Sequence, residues 1–257
     1  EYAMLRSLVG SEMCIRDRTI GALAMTEPGG GSDVAAIKTL AKDMGDHFLV
    51  NGSKSFITNG LLADLVIVAC KTDSKAGAHG ISLIILERGM EGFDRGNKLD
   101  KIGQFGQDTA ELFFKDVKVP KENLLGEEGK GFRYILSGMN AERMLIAAEC
   151  IGDSKWFIEK ASSYACDRSI FERPIGKNQG IQFPIASAYA QMRAAELMVT
   201  QSLTLYEEGA NPGEEANLAK MLCAEASWAA AEMCVQTHGG FGFAEEYDVE
   251  RLSLIHI

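Results

Sequence analysis

Three consecutive glycines in Thr26-Glu27-Pro28-Gly29-Gly30-Gly31-Ser32-Asp33 follow the apolar residues Leu23-Ala24-Met25. Residues without a Cβ let main-chain N–H groups approach a ligand at φ values that other residues resist, and Ser32 adds a hydroxyl. The run fits neither G-x-G-x-x-G nor G-x-x-x-x-G-K-[ST], so it reads as a ligand cradle of another kind or as a plain connecting turn. Phe56 and Thr58 stand two residues apart, which on a strand sets ring and hydroxyl on one side. Such a pair could stack on and hydrogen-bond a planar cofactor; a core phenylalanine beside a turn threonine has the same spacing. Glu142 lies three residues after Met139 and four before Ile146, at the edge of an apolar stripe, where a carboxylate shielded from water can act as a base. A solvated helix glutamate fits equally well there, and spacing does not separate Glu142 from Glu149. Arg168 and Phe171 are open to two readings, surface charge and core cap or ligand contacts. His238, in the glycine-rich Gln236-Thr237-His238-Gly239-Gly240-Phe241-Gly242-Phe243, has no Cys or carboxylate at ligand spacing, which speaks against a metal.

The elements that must position these residues fall into two halves. Residues 19–125 read as β-rich, with apolar runs of buried-strand length at 64–72 and 80–88, an alternating strand at 111–119 ended by Pro120, and hairpin turns at Gly45-Asp46 and Asn51-Gly52. Short strands at near-regular spacing predict an antiparallel barrel or sandwich. Residues 126–252 read as helical. From Gly131, the residues Phe132, Leu136, Met139, Arg143, Ile146 and Cys150 recur at three- or four-residue steps and predict a long amphipathic helix. A loop at 168–179 leads to a second helix with Pro184 in its first turns. Asn211-Pro212 opens a third, Ala-rich one, stopped by Gly239-Gly240.

Composition bounds the rest. With 257 residues, 46% hydrophobic and 24% charged, the chain can bury a real core over two domains. A net charge of −10 without a Lys/Arg cluster excludes a nucleic-acid backbone binder. Six cysteines without a C-x-x-C pair fit a reducing compartment, and no apolar run reaches the roughly 20 residues of a membrane span. A soluble intracellular protein is expected, cytoplasmic in a bacterium or in the mitochondrial matrix of a eukaryote. Residues 1–18 and 253–257 keep no period that fits their neighbours and resemble translated adapter sequence, so both are expected to be non-native flanks of an internal fragment.

Taken in order, TEPGGGSD, NGSKSFITNG, DVKVP, DRSIFERPIGKNQG and QTHGGFGF with EEYDVER resemble the flavin-dependent acyl-CoA dehydrogenases from about residue 20 to residue 252. The resemblance implies an α+β multidomain fold, an antiparallel β-barrel middle domain followed by an up-down helical-bundle domain. It implies a homotetramer with FAD held partly across a subunit interface. Carried over by motif, Leu23, Ala24, Met25, Thr26, Gly31 and Ser32 would line the flavin and pyrophosphate. Phe56, Ile57 and Thr58 would face the flavin ring, although the family often has Trp where Phe56 stands. Arg168, Phe171 and Gln179, with Gln236, Thr237, His238, Gly239 and Gly240, would hold the FAD of a neighbouring subunit. Ser32, Asn140 and Arg143 would contact acyl-CoA.

The reaction implied is α,β-desaturation of an acyl-CoA thioester to trans-2-enoyl-CoA, with electron-transfer flavoprotein as electron acceptor. Glu142 matches the base of those members that carry it on the long helix. Many others carry it on a loop beyond the segment matching EEYDVER. A flavin oxidase or monooxygenase on the same scaffold and a non-catalytic acyl-CoA-binding protein are the alternatives.

Overall fold

The structure is a computed structural model and describes residues 19–250. The flanks expected at 1–18 and 253–257 lie outside the described residues. Two compact units divide the chain, Glu1–Gly138 and Met139–Ile257.

The first unit is built on strands β1 (Gly21–Ala24), β2 (Leu40–Asp43), β3 (His47–Thr58), β4 (Leu65–Lys71), β5 (Ile81–Glu87), β6 (Phe93–Lys98), β7 (Thr109–Pro120) and β8 (Leu124–Leu125). They form one sheet in the order β6-β7-β3-β2-β4-β5-β8, with β1 beside β4. Two pairings, β1 with β4 and β2 with β4, are parallel, where an all-antiparallel sheet was expected. The physical reason is the connection: β1 runs into the glycine loop and a crossing segment rather than a hairpin. Among the described strands, β6 and β8 end the path and do not pair with each other, so hydrogen bonding leaves the sheet open. Its core gathers Phe48, Val50, Ile57, Val66, Val68, Ile84, Leu86, Leu112 and Val119. From Val66 to Lys71, β4 is buried at every position, as its unbroken apolar run requires of a strand covered on both faces.

Gly45-Asp46 turns β2 into β3 as expected, with Gly45 at φ 97°. Asn51-Gly52 does not turn. It lies within β3 and marks an irregularity in the pairing with β7. Asn51 has a better partner than a turn: its amide donates to Asp116 Oδ1 at 3.0 Å and its Oδ1 accepts from Asp116 N at 2.9 Å. Gly52, at φ 149°, is required because a Cβ there would lie 2.5 Å from Thr39 Oγ1.

Helix α1 (Gly131–Asp167) is the predicted long helix. Its first turn docks on the sheet, with a Cβ on Gly131 only 2.8 Å from the Ser82 main chain and Tyr134 Oη accepting from Glu127 N at 3.1 Å. In the second unit, the rest of α1 packs with α2 (Gln179–Glu207) and α3 (Gly213–His238). The contact is made largely by alanines and cysteines, small enough for close approach; Cys223 Sγ reaches Ala195 O at 3.7 Å. The buried stripe of α1 runs through Ile135, Met144, Ala147, Cys150, Ile151, Phe157, Ala161 and Ala165. It is turned from the stripe expected: Leu136 and Ile146 are exposed at 47% and 40%. The helix is apolar on more than one side, so periodicity alone could not choose the face. Among the described residues, no helix is long and apolar enough to cross a membrane.

Candidate functional site

In the first unit the glycine loop is tied to β3 residue by residue. The Met25 carbonyl accepts from Lys54 Nζ at 2.9 Å, and the Thr26 carbonyl accepts from Ser55 N at 2.9 Å. The Glu27 carboxylate accepts from Lys54 Nζ at 2.9 Å, from Lys38 N at 2.6 Å and from Thr39 N at 2.9 Å. Glu27 and Gly30 exchange N–H to carbonyl bonds at 3.0 Å each, so Pro28-Gly29 tips a tight turn. Neither Glu27 nor Lys54 stood out in the sequence, although both are buried. Burial acts against the Glu27 charge, and the hydrogen bonds from Thr39, Lys38 and Lys54 outweigh it, leaving the carboxyl below its ordinary range. Burial also lowers the Lys54 ammonium, opposed by Glu27. Neighbouring Cys70, fully buried, is pushed up to about 12.

The glycines do not use the left-handed freedom expected of them. None of Gly29, Gly30 and Gly31 has a positive φ. A Cβ on Gly29 would meet nothing within 4 Å, on Gly30 only Asp33 O at 3.5 Å, and on Gly31 only Thr26 Cγ2 at 3.8 Å. The fold of this unit therefore has no use for glycine at these positions. Gly31 and Ser32 are exposed, Leu23, Met25 and Thr26 half-buried, and Ala24 fully buried in the sheet core.

Phe56 is not a core residue. It is 69% exposed and sits at φ 58°, in the left-handed region that costs a non-glycine residue strain. Thr58 is exposed as well, and Ile57 between them is buried at 2%. Beyond them Asn59, at φ 59°, donates its N–H to Asp108 O at 3.0 Å, and Leu61 N bonds Asp108 Oδ2 at 2.7 Å. The strained segment is thus clamped at both ends.

In the second unit a cavity of about 540 Å³ is lined by Arg168, Thr237, His238, Gly239 and Gly240, all singled out in the sequence. Tyr164 and Phe241, which the sequence did not single out, also line it. His238 stacks on Tyr164 with ring centroids 4.2 Å apart, and its Nδ1 lies 2.8 Å from Cys234 O. A carbonyl only accepts, so Nδ1 carries a proton and donates it to Cys234 O. Arg168 lies over the Phe241 ring at 5.8 Å. Gln236 is exposed, Gln179 is the exposed first residue of α2, and neither lines the cavity. Phe171 stands 93% exposed at the tip of a two-stranded hairpin, β9 (Ser169–Ile170) and β10 (Arg173–Pro174), with Phe171 and Glu172 at φ 53° and 62°. It caps no core.

On α1, Asn140, Glu142 and Arg143 are half-buried, and Arg143 Nη1 donates to Asn140 Oδ1 at 3.3 Å. Among the described residues Glu142 pairs with no cation. Glu149 is exposed, which separates the two glutamates as spacing could not. No group of three His, Cys, Asp or Glu among the described residues could hold a metal ion.

Comparisons with known proteins bear on what these surfaces do. The acyl-CoA dehydrogenase middle domain matches residues 22–117 and the acyl-CoA dehydrogenase C-terminal domain matches residues 129–255. The chain is 42% identical to the mitochondrial long-chain specific acyl-CoA dehydrogenase of Sus scrofa, over 91% of this chain and 55% of that protein. It is 42% identical to an acyl-CoA dehydrogenase of Bacillus subtilis, over 91% of this chain and 62% of that protein. The crystal structure of acyl-CoA dehydrogenase from Geobacillus kaustophilus superposes with a TM-score of 0.91 at 39% identity, covering 98% of this chain and 69% of that one. The chain thus spans little more than half the length of the curated relatives it matches.

Proposed function

The chain belongs to the acyl-CoA dehydrogenase family, and on that premise we propose that it is the flavin- and acyl-CoA-holding part of an enzyme that desaturates an acyl-CoA thioester to trans-2-enoyl-CoA, with FAD as cofactor. One observation carries this reading. An exposed phenylalanine held at φ 58° stands beside a glycine loop whose glycines the fold itself does not need. Strain and missing side chains at one place are explained by a planar ligand that occupies it.

Leu23, Met25, Thr26, Gly31 and Ser32 would line the flavin and pyrophosphate, with Phe56 against the ring and Thr58 supplying a hydroxyl. Ala24 and Ile57 are turned into the core and would contribute through their main chain. Arg168, Thr237, His238, Gly239 and Gly240, with Phe171, Gln179 and Gln236, would hold the FAD of another copy in a homotetramer. The cavity among the first five supports that role. Closure of the sheet into a barrel, a domain boundary near residue 125 and a cytoplasmic or matrix location belong to the same proposal.

Bound FAD would supply the acceptor of two electrons. Glu142, half-buried and unpaired with any cation among the described residues, would take the α-proton of the thioester. Asn140, Arg143 and Ser32 would position acyl-CoA, Arg143 adding charge for the CoA phosphates. Electron-transfer flavoprotein is the proposed acceptor; the caffeyl-CoA reductase-Etf complex subunit of Acetobacterium woodii, 39% identical, supports it. A second reading has oxygen as acceptor, since a prolyl acyl carrier protein oxidase shares the fold at TM-score 0.93 and 27% identity.

The test is anaerobic mixing of the FAD-loaded full-length protein with acyl-CoA. Bleaching of the flavin absorbance, with reoxidation by electron-transfer flavoprotein and negligible peroxide in air, is the expected result. Rapid peroxide formation establishes the oxidase instead, and a purified protein that takes up no flavin overturns both.

A further inference from the structure

We propose that the buried Glu27–Lys54 pair is a positioning device, one that sets the flavin-facing loop and the strained Phe56 as a single rigid unit before any cofactor arrives. The proposal rests on the reading of residues 23–32 and 56–58 as the flavin face.

Three consecutive residues of the loop, Met25, Thr26 and Glu27, are bonded to two consecutive residues of β3, Lys54 and Ser55. Lys54 is the hinge point of the set. Its ammonium reaches both the Met25 carbonyl and the Glu27 carboxylate at 2.9 Å, from a side chain with 0% exposure. Glu27 extends the tie outward through Lys38 N and Thr39 N to the segment that leaves the loop. The residue after Ser55 is Phe56, whose left-handed φ has to be held by something outside itself.

A buried ion pair is weak support for stability, because two methyl-rich residues of the same volume serve a core as well or better. What such residues cannot do is donate to a loop carbonyl and accept from two loop amides. The pair is therefore explained by the geometry it imposes, and Glu27 and Lys54 act on the cofactor through the loop rather than by touching it.

The test compares wild type, Lys54→Met and the double variant Glu27→Gln/Lys54→Met in the full-length protein. FAD affinity is read by flavin fluorescence, stability by urea unfolding of the cofactor-free form, and order of the loop by amide hydrogen exchange in that form. Lys54→Met is expected to lose stability and to bind FAD about tenfold or more weakly. The double variant, relieved of the unpaired carboxylate, regains stability. Positioning requires that FAD affinity does not return with it. It also requires that the Lys38, Thr39 and Ser55 amides exchange about tenfold faster or more than in wild type while Val50 and Val117 are unchanged.

FAD affinity that follows stability back up, or unchanged exchange at those amides, overturns the proposal and makes the pair an ordinary core contact. Wild-type protein that binds no FAD would instead remove the flavin reading itself. The exchange comparison needs no cofactor and separates the two failures.

Discussion

Lys54 Nζ donates to Glu27 Oε1 at 2.9 Å, the lysine side chain 0% and the glutamate side chain 8% exposed. A charged pair so deep in a sheet unit is costly to desolvate, and it repays that cost only through the further bonds to Met25 O, Lys38 N and Thr39 N.

That pair contributes to the acid stability of the first unit. The Glu27 carboxyl is held below its ordinary value of 4.5 in the folded chain. Its contribution is therefore complete above the unfolded value and is lost as pH falls through the lower folded one. Urea titrations of the cofactor-free protein should show stability falling with acid below about pH 4.5, and Glu27→Gln should flatten that slope. A wild-type curve level down to pH 3 would count against the assignment.

Phe56 should be a place where stability and function oppose each other. Replacing it by glycine relieves a left-handed φ, so Phe56→Gly should stabilise the cofactor-free protein by up to about 1 kcal/mol in urea titrations. The same change removes the ring proposed to stack on the flavin and should weaken FAD binding by about tenfold. Destabilisation of the cofactor-free form would show that the φ is not strained.

Gly30 and Gly242 should behave oppositely on substitution. A Cβ on Gly30 meets no atom closer than 3.5 Å, while one on Gly242 would lie 2.6 Å from Val235 O. Gly30→Ala should change stability by less than about 0.5 kcal/mol yet reduce FAD affinity. Gly242→Ala should cost more than about 1 kcal/mol in thermal or urea unfolding.

Glu142→Gln in the full-length enzyme should slow flavin bleaching by acyl-CoA about 10²- to 10⁴-fold while leaving acyl-CoA binding within a few-fold. Glu149→Gln, on the exposed side of the same helix, should be indistinguishable from wild type in rapid-mixing traces. Undiminished bleaching in Glu142→Gln would move the base to another residue.

Much of the candidate site was legible because its chemistry is local. The glycine run, the Phe56-Thr58 spacing and the Gln236-to-Phe243 loop are contiguous motifs, and the structure gathers Arg168 with Thr237 to Gly240 around one cavity. The Glu27–Lys54 tie was not legible, because a lysine and a glutamate 27 positions apart look like solvated charges until the sheet brings them together. Strand existence followed from the apolar runs, but parallel pairing did not, since it depends on where a connection crosses. Asn51-Gly52 carries a turn signature and is overruled by Asp116, a partner 65 positions away. On α1, two apolar faces gave the periodicity two solutions, and tertiary packing took the one through Met144, Ala147 and Ile151, with Cys150 common to both.

The two irregularities in the β3–β7 ladder are of opposite sense. Lys115 and Asp116 together face Asn51, whereas Ser55 and Phe56 together face Glu111. The offset introduced by the first is cancelled by the second, so His47 with Pro120 and Thr58 with Thr109 stand in the same register. Each extra residue is thereby the other's compensation. Deleting Phe56 alone, or Asp116 alone, would slide one end of the ladder by a residue and invert which side chains face the core there. The two positions can be lost or gained only as a couple, and a strand that presents Phe56 to solvent commits its neighbour to carrying the bulge at Asp116.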